Sequence, residues 1–228
     1  FHAQGAAGVA LDVNPRINEQ FNKKGILPLV CNLTSAGDIL DCVHATVRHF
    51  GGLDILVSNA GTFPPSETIE DMKPETWEKS MEINLTSHQR LLKACTPFLS
   101  MGIDPAVVIV GSKNVPAPGP GASAYSVAKA GLTQLARIAA LEFGSAGIRV
   151  NIVHPNQVFD TAIWTKDILE KRAKAYGLSV EEYKTNNILK VEIKSADVAA
   201  LVCAMVGPVF SKTTGCQVAI DGGNDRVI

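Results

Sequence analysis

At 228 residues and 46% hydrophobic content, the chain is long enough for one large α/β domain with a substantial core and too apolar to be disordered. Its formal net charge of -1 argues against a nucleic-acid surface as the main partner, because such surfaces cluster Lys and Arg. No apolar stretch approaches the roughly 20 residues needed to cross a bilayer, and five cysteines without a CxxC pair point away from a disulfide framework or a metal site and toward a reduced, cytoplasmic setting.

From the start, short apolar runs alternate with longer helical patterns, which predicts βαβ units and a parallel sheet. Gly8 to Asp12 reads as a strand ending in an acid, and Ile26 to Val30 as a second. Thr34 or Ser35 can then cap a helix carrying Ile39, Val43, Val47 and Phe50 and closed by Gly51. Asp54 to Val57 reads as a third strand. Trp77, Met81, Leu85, His88, Leu92 and Cys95 recur at spacings of three and four, one face of a long helix. Ala106 to Val110 is a fourth strand. Tyr125, Ala128, Leu132, Leu135 and Ala139 mark another helix, and Ile148 to Val153 a fifth strand. The stretch from Pro155 to Lys190 breaks the pattern, with Trp164, Tyr176 and Tyr183 among charges. It is expected to form one or two short helices outside the main layers, an excursion of the kind that covers a site. Ser195 can cap a last helix with Val198, Leu201, Val202 and Met205, and Gln217 to Ile220 closes the series. No repeat or linker interrupts 1–228, so a single domain is expected.

Chemistry concentrates in Ser112, Tyr125 and Lys129. Tyr125 and Lys129 stand four residues apart on a predicted helix and therefore share a face. A phenol is a poor base at neutral pH, and a nearby ammonium favours its ionised form. That pairing suits general acid-base work on a hydroxyl or carbonyl. Ser112, just past a strand end, can donate a hydrogen bond to the reacting oxygen.

Further motifs accompany these three. Leu56-Val-Ser-Asn-Ala-Gly61 resembles the Asn-Asn-Ala-Gly motif of the classical short-chain dehydrogenase/reductases, with Ser58 in place of the first Asn. Glu82-Ile-Asn84-Leu resembles the segment bearing that family's fourth catalytic residue, Ser112, Tyr125 and Lys129 match its triad, and Asp221-Gly222-Gly223 its terminal motif. The resemblance runs from about residue 5 to the end. It implies a Rossmann-like three-layer doubly wound parallel sheet and an oxidoreductase that exchanges a hydride between a nicotinamide cofactor and an alcohol or carbonyl compound. Tyr125 would transfer the proton and Ser112 position the oxygen. Lys129 would lower the tyrosine pKa and hold the nicotinamide ribose, and Asn84 would anchor a water linking Lys129 to solvent.

The same resemblance assigns the cofactor site. Asp12, at a strand end, would accept both hydroxyls of an adenosine ribose and repel a 2′-phosphate, so NAD is expected rather than NADP. Asn32 stands where the family has an Asp that contacts adenine, followed by Leu33. Asn59, Ala60 and Gly61 would line the ribose and pyrophosphate side. Pro155, Val158 and Thr161 complete the set; Pro155-Asn156 replaces the family's Pro-Gly, and Asp160 occupies the place usual for the threonine found here at 161. Left-handed backbone at Asn156 would preserve the turn. The family's opening strand and glycine-rich turn are absent. Phe1 to Gly5 resembles the end of the helix that follows that turn, so the chain is expected to be an N-terminally incomplete piece of a longer polypeptide. The neighbours of the missing central strand should then each lack a partner along one edge.

A closer resemblance lies in Val110-Gly-Ser-Lys-Asn-Val-Pro-Ala-Pro-Gly-Pro-Gly121, Asn84-Leu-Thr-Ser-His88, Tyr183-Lys-Thr-Asn-Asn187 and the ending Asp221 to Ile228. These are similar to the dehydrogenase half of the bifunctional rhamnulose-1-phosphate aldolase/alcohol dehydrogenases. The resemblance implies an upstream aldolase domain and L-lactaldehyde as substrate. Family habit implies a homodimer or homotetramer. A competing expectation is a non-catalytic nucleotide-binding or scaffold module of the same fold: the intact triad speaks against it, the absent glycine turn for it. His154 reads as a structural histidine, and Lys113 and Asn114 as polar loop residues within reach of a substrate.

Overall fold

Six parallel strands form the sheet layer of the computed structural model, which describes residues 1–224. The last four residues of the quoted C-terminal run, 225–228, lie outside the described residues. Strand β1 (Gly8–Asp12) pairs with β2 (Ile26–Val30), while β3 (Ile55–Ser58), β4 (Ala106–Val110), β5 (Arg149–Pro155) and β6 (Gln217–Ile220) pair in that order. Among the described residues no further strand hydrogen-bonds to the free edge of β1 or of β3.

Helices cover both faces, and β4 shows why. Its Val107 and Ile109 enter the larger core with Val150 and Ile152 of β5, whereas Val108 and Val110 enter a second core with Val153. Alternate residues point to opposite faces, so a strand apolar throughout demands a helix layer on each. On the larger-core side lie α2 (Ala36–Phe50), α4 (Ser87–Leu99) and α5 (Ser123–Phe143); on the other lies α8 (Ser195–Val206), through Val202 and Met205. A short α1 (Ile17–Gln20) follows β1. Leu11, Leu29 and Leu33 pack against the larger core, which joins the two-stranded sheet to the rest. Ser35 caps α2 through the Asp38 amide, and Gly51 ends it at φ 85°, the left-handed turn that glycine permits.

Three local expectations need correction. The long helix predicted around Trp77 to Cys95 is broken: α3 (Pro74–Met81) passes through a π-helical turn over Glu82–Thr86 before α4 begins. Asn84 in that turn bonds the backbone of Thr62 on the loop after β3. Ser195 does not cap α8; Lys194 occupies that position, its amide donating to Asp197 at 2.8 Å, and the Ser195 hydroxyl donates instead to Asp160 at 2.7 Å. Left-handed backbone after β5 falls at Gln157, with φ 48°, not at Asn156. The Gln157 amide group, which donates to the Tyr183 hydroxyl at 3.0 Å, holds it there.

The excursion forms two short helices, α6 (Lys166–Ala175) and α7 (Val180–Lys184). They pack through Phe159, Ala173 and Tyr183, with Trp164 at 4.9 Å from Phe159 between ring centres. Trp164 therefore helps to bind the excursion to itself. Among the described residues no helix is long and apolar enough to cross a membrane, and no group of three or more His, Cys, Asp and Glu residues could hold a metal.

Candidate active site

All the strands are parallel, so their carboxyl ends open on one edge of the molecule, where ligands bind in folds of this kind. Asp12 ends β1, Asn32 follows β2, Asn59 to Gly61 follow β3, Ser112 follows β4 and Pro155 ends β5. Loop residues selected for their chemistry thus converge through strand direction alone.

Beyond β4 the chain stays zipped to β5: the Gly111 amide donates to Val153 at 2.8 Å and the Lys113 amide to Pro155 at 3.0 Å. Between them, the Ser112 amide donates to His154 Nδ1 at 3.1 Å, the same nitrogen lies 3.0 Å from the Ser112 carbonyl, and His154 Nε2 lies 3.0 Å from Gln217 Oε1. Burial holds the His154 pKa below its usual range, consistent with a neutral ring. Gly111 is required at its position, because a Cβ there would stand 2.6 Å from His154 Nδ1. The Ser112 hydroxyl accepts from the Asn114 amide at 3.1 Å, which leaves its proton to donate to the Tyr125 oxygen.

Tyr125 and Lys129 project from the first two turns of α5. The Tyr125 ring packs 4.8 Å from that of Phe63, between centroids, on the loop after β3. Lys129, 2% exposed, places its ammonium 6.0 Å from the Tyr125 ring centre and donates to the Val110 carbonyl at 2.9 Å. The expected depression of the tyrosine pKa is not present in this chain. Burial raises it, and the Ser112 hydrogen bond offsets only part of that rise. The lysine is itself desolvated, which lowers its pKa to about 8 and weakens its hold on a phenolate.

Asn84 lies in the middle of the π-helical turn and is wholly buried. Its Oδ1 accepts from the Thr62 amide at 2.9 Å, and its Nδ2 donates to the Thr62 carbonyl at 3.0 Å and to Ser80 Oγ at 3.1 Å. π-Turns inside α-helices recur at functional sites; here the turn joins the helix to the loop after β3. A Cβ on Gly61 would stand 3.0 Å from Asn84 Oδ1 and 3.5 Å from Lys129 Nζ. Ser112, Tyr125, Lys129, Asn84 and Gly61 are thereby brought into one cluster.

The other assigned residues sit around its rim. Asp12 is exposed, with Oδ1 accepting from the Asn14 amide at 2.8 Å. Asn32 Oδ1 accepts from the Thr34 amide (3.1 Å) and hydroxyl (2.8 Å), so its amide nitrogen is the group that can donate to a base. Leu33 packs inward against the larger core. Arg90 braces this loop from α4, donating to the Thr34 carbonyl at 2.8 Å while paired with Glu82. Asn59 is exposed, and the Ala60 carbonyl accepts from His88 Nε2 at 2.9 Å. The Thr161 hydroxyl donates to the Val158 carbonyl at 2.8 Å, a local turn on the far rim, while Asp160 is committed to Ser195.

Sequence reasoning passed over several participants. Ser80 has a signal, four residues before Asn84. Phe63 and the Ser58–His88 contact have none, because they depend on loops folding onto helices. Lys113 and Asp221 also form a buried ion pair at 2.7 Å that ties the loop after β4 to the end of β6.

A doubly wound parallel sheet with a Ser-Tyr-Lys cluster and a buried Asn at its carboxyl edge is the framework of a Rossmann-like oxidoreductase. The sequence model of the enoyl-(acyl carrier protein) reductase family matches residues 1–225, and the chain belongs to the short-chain dehydrogenase/reductases, oxidoreductases that work with NAD(P). It is 33% identical to the uncharacterized oxidoreductase YuxG of Bacillus subtilis over 98% of its length, but spans only 34% of that protein. It is 32% identical to human dehydrogenase/reductase SDR family member 4, covering 85% of this chain and 67% of that one. Among solved structures, an NADPH-bound short-chain oxidoreductase from Pseudomonas aeruginosa PAO1 superposes with a TM-score of 0.86 at 25% identity, covering 100% of this chain and 90% of the other. A dehydrogenase/reductase from Sinorhizobium meliloti 1021 gives 0.84 at 28% identity, covering 98% and 86%.

Proposed function

We propose that this chain carries the dehydrogenase chemistry of a longer protein, exchanging a hydride between NAD(H) and a small alcohol or aldehyde. The observation that carries the reading is the Ser112-Tyr125-Lys129 cluster with Asn84 beside it. The residues present fit the ribose end of a dinucleotide: a glycine at 61 leaves open a cradle that a Cβ would fill, bounded by Asn84 Oδ1 and Lys129 Nζ. When bound, the nicotinamide supplies or accepts the hydride at the substrate carbon. Lys129 would hold the nicotinamide ribose, Asn59, Ala60 and Gly61 the ribose and pyrophosphate side, Asn32 and Leu33 the adenine, and Pro155, Val158 and Thr161 the carboxamide rim. The exposed Asp12 carboxylate favours a free ribose 2′-hydroxyl over a phosphate, which supports NAD.

Proton handling belongs to this chain. Ser112 donates its hydroxyl to the reacting oxygen, oriented by the Asn114 amide and, through its own backbone, by His154. Tyr125 gives or takes the proton at that oxygen. A tyrosine with a raised pKa is a weaker acid that stays protonated throughout the neutral range, so it holds the proton needed in carbonyl reduction, while both giving it up and working as a base in oxidation ask more of the Lys129 charge. L-lactaldehyde, arising in rhamnose breakdown, is the proposed substrate, supported by the resemblance of Val110 to Gly121 and Tyr183 to Asn187. A homodimer or homotetramer, a cytoplasmic setting and an upstream aldolase domain complete the proposal.

Absorbance of the reduced nicotinamide, measured on the whole protein with L-lactaldehyde, tests it. NAD-dependent turnover that Tyr125→Phe lowers by at least about 100-fold is the expected result. Turnover with NADP alone would overturn the cofactor reading. No turnover from folded protein that binds the dinucleotide would favour the scaffold reading.

A further inference from the structure

The position where the family motif has its first Asn carries Ser58, and this departure has a partner in space. Ser58 Oγ lies 2.6 Å from His88 Nδ1, and both residues are 1% exposed. The opposite ring nitrogen, His88 Nε2, lies 2.9 Å from the Ala60 carbonyl. A carbonyl only accepts, so Nε2 carries the hydrogen. Nδ1 must then accept, and the Ser58 hydroxyl donates to it. Ring orientation and tautomer are assigned together, and burial beside the Lys129 charge keeps the imidazole neutral, its pKa pushed down to about 3.

The consequence lies in the loop. Ala60 sits between Asn59 and Gly61, and the next residue, Thr62, is gripped by Asn84 through both its amide and its carbonyl. Two buried side chains from successive turns of one helix, Asn84 and His88, therefore hold the same strand-end loop, one on each side of Gly61. Without the His88 bond the Ala60 peptide could rotate, and the Gly61 backbone would leave its place against Asn84 and Lys129. We infer that His88, oriented by Ser58, is a positioning residue that anchors the Asn59–Gly61 loop in the geometry a dinucleotide ribose requires. This rests on the dinucleotide reading given above.

Two readouts on the full protein test it. The first is exchange of the Thr62 amide and its neighbours in the unloaded protein, followed by mass spectrometry. The second is the Kd for NADH and NADPH by fluorescence, with KM and kcat. His88→Leu removes both bonds at similar volume; it should accelerate loop exchange and raise the dinucleotide Kd and KM by about tenfold, the effect of one buried acceptor left unsatisfied. Its kcat at saturation should stay within about threefold. His88→Gln presents one donor and one acceptor from a single amide and should recover most of the loss. Ser58→Ala, which leaves the ring in place without its second partner, should move both readouts the same way by less, and serves if His88→Leu does not fold. Unchanged exchange and unchanged Kd in these variants, or a lowered Tm with unchanged Kd, would overturn the inference. A wild-type protein that binds neither dinucleotide, with exchange still accelerated by His88→Leu, would overturn the cofactor reading while supporting His88 as the loop's anchor.

Discussion

The Lys129 ammonium stands 6.0 Å from the centre of the Tyr125 ring, and it is directed to the Val110 carbonyl at 2.9 Å. The two side chains share a helix face, yet each is desolvated, and burial moves them in opposite directions: up for the phenol, down to about 8 for the amine.

This has a pH signature. An unfolded lysine keeps its proton up to about pH 10.5, whereas folded Lys129 gives it up near 8. Between those values the unfolded chain binds the extra proton, so the contribution of this site to stability rises with pH through that window and is lowest below pH 8. Urea denaturation of wild type and Lys129→Met from pH 7 to 10 should show the wild type gaining on the variant by about 1.4 kcal/mol per pH unit above pH 8. Parallel profiles would show that the lysine is not desolvated as described.

Gly61→Ala introduces a Cβ 3.0 Å from Asn84 Oδ1 and 3.5 Å from Lys129 Nζ. The loop is exposed and its backbone can yield slightly, so a fall in Tm of only a few degrees is expected, corresponding to about 1 kcal/mol. Dinucleotide affinity should fall by about tenfold or more. Equal affinity in a titration with reduced cofactor would remove Gly61 from the site.

Gly111→Ala is a harsher change, because its Cβ would meet His154 Nδ1 at 2.6 Å and Cε1 at 2.7 Å. The imidazole must leave the Ser112 amide or the backbone must shift, at about 1–3 kcal/mol. Combining it with His154→Ala removes the obstacle, so the double variant should be less destabilised than the sum of the singles. Strict additivity in chemical denaturation would contradict the contact.

Lys113 and Asp221 form an ion pair at 2.7 Å with both side chains less than a tenth exposed. Lys113→Met leaves a buried carboxylate without that cation and should cost about 3–5 kcal/mol, whereas Lys113→Met with Asp221→Leu should regain much of it. If the single and double variants unfold at the same urea concentration, the pair does not bind the loop after β4 to β6.

Much of this architecture could be read from the chain. Strand and helix positions followed from period-2 and period-3.6 apolar patterns, which are local properties, and the Ser35 and Gly51 caps from residue types that satisfy helix ends. Misreadings arose where distant contacts took over. Periodicity ran smoothly from Trp77 to Cys95, yet Asn84 bonds to Thr62 on another loop and the helix opens into a π-turn at that point. Gln157, rather than Asn156, adopted left-handed backbone because Tyr183 from the excursion holds its side chain.

For the site, residue types and spacing pointed to Ser112, Tyr125 and Lys129, whose chemistry demands particular groups at a strand end and along one helix, and the family resemblance added Asn84. Only the tertiary structure decided what surrounds them. Burial reversed the expected direction of the tyrosine pKa, His154 proved to hold Ser112, and Ser58 and His88 met across 30 residues of chain. Desolvation and hydrogen bonding between distant segments depend on which surfaces are brought together, and no local pattern in a sequence carries that information.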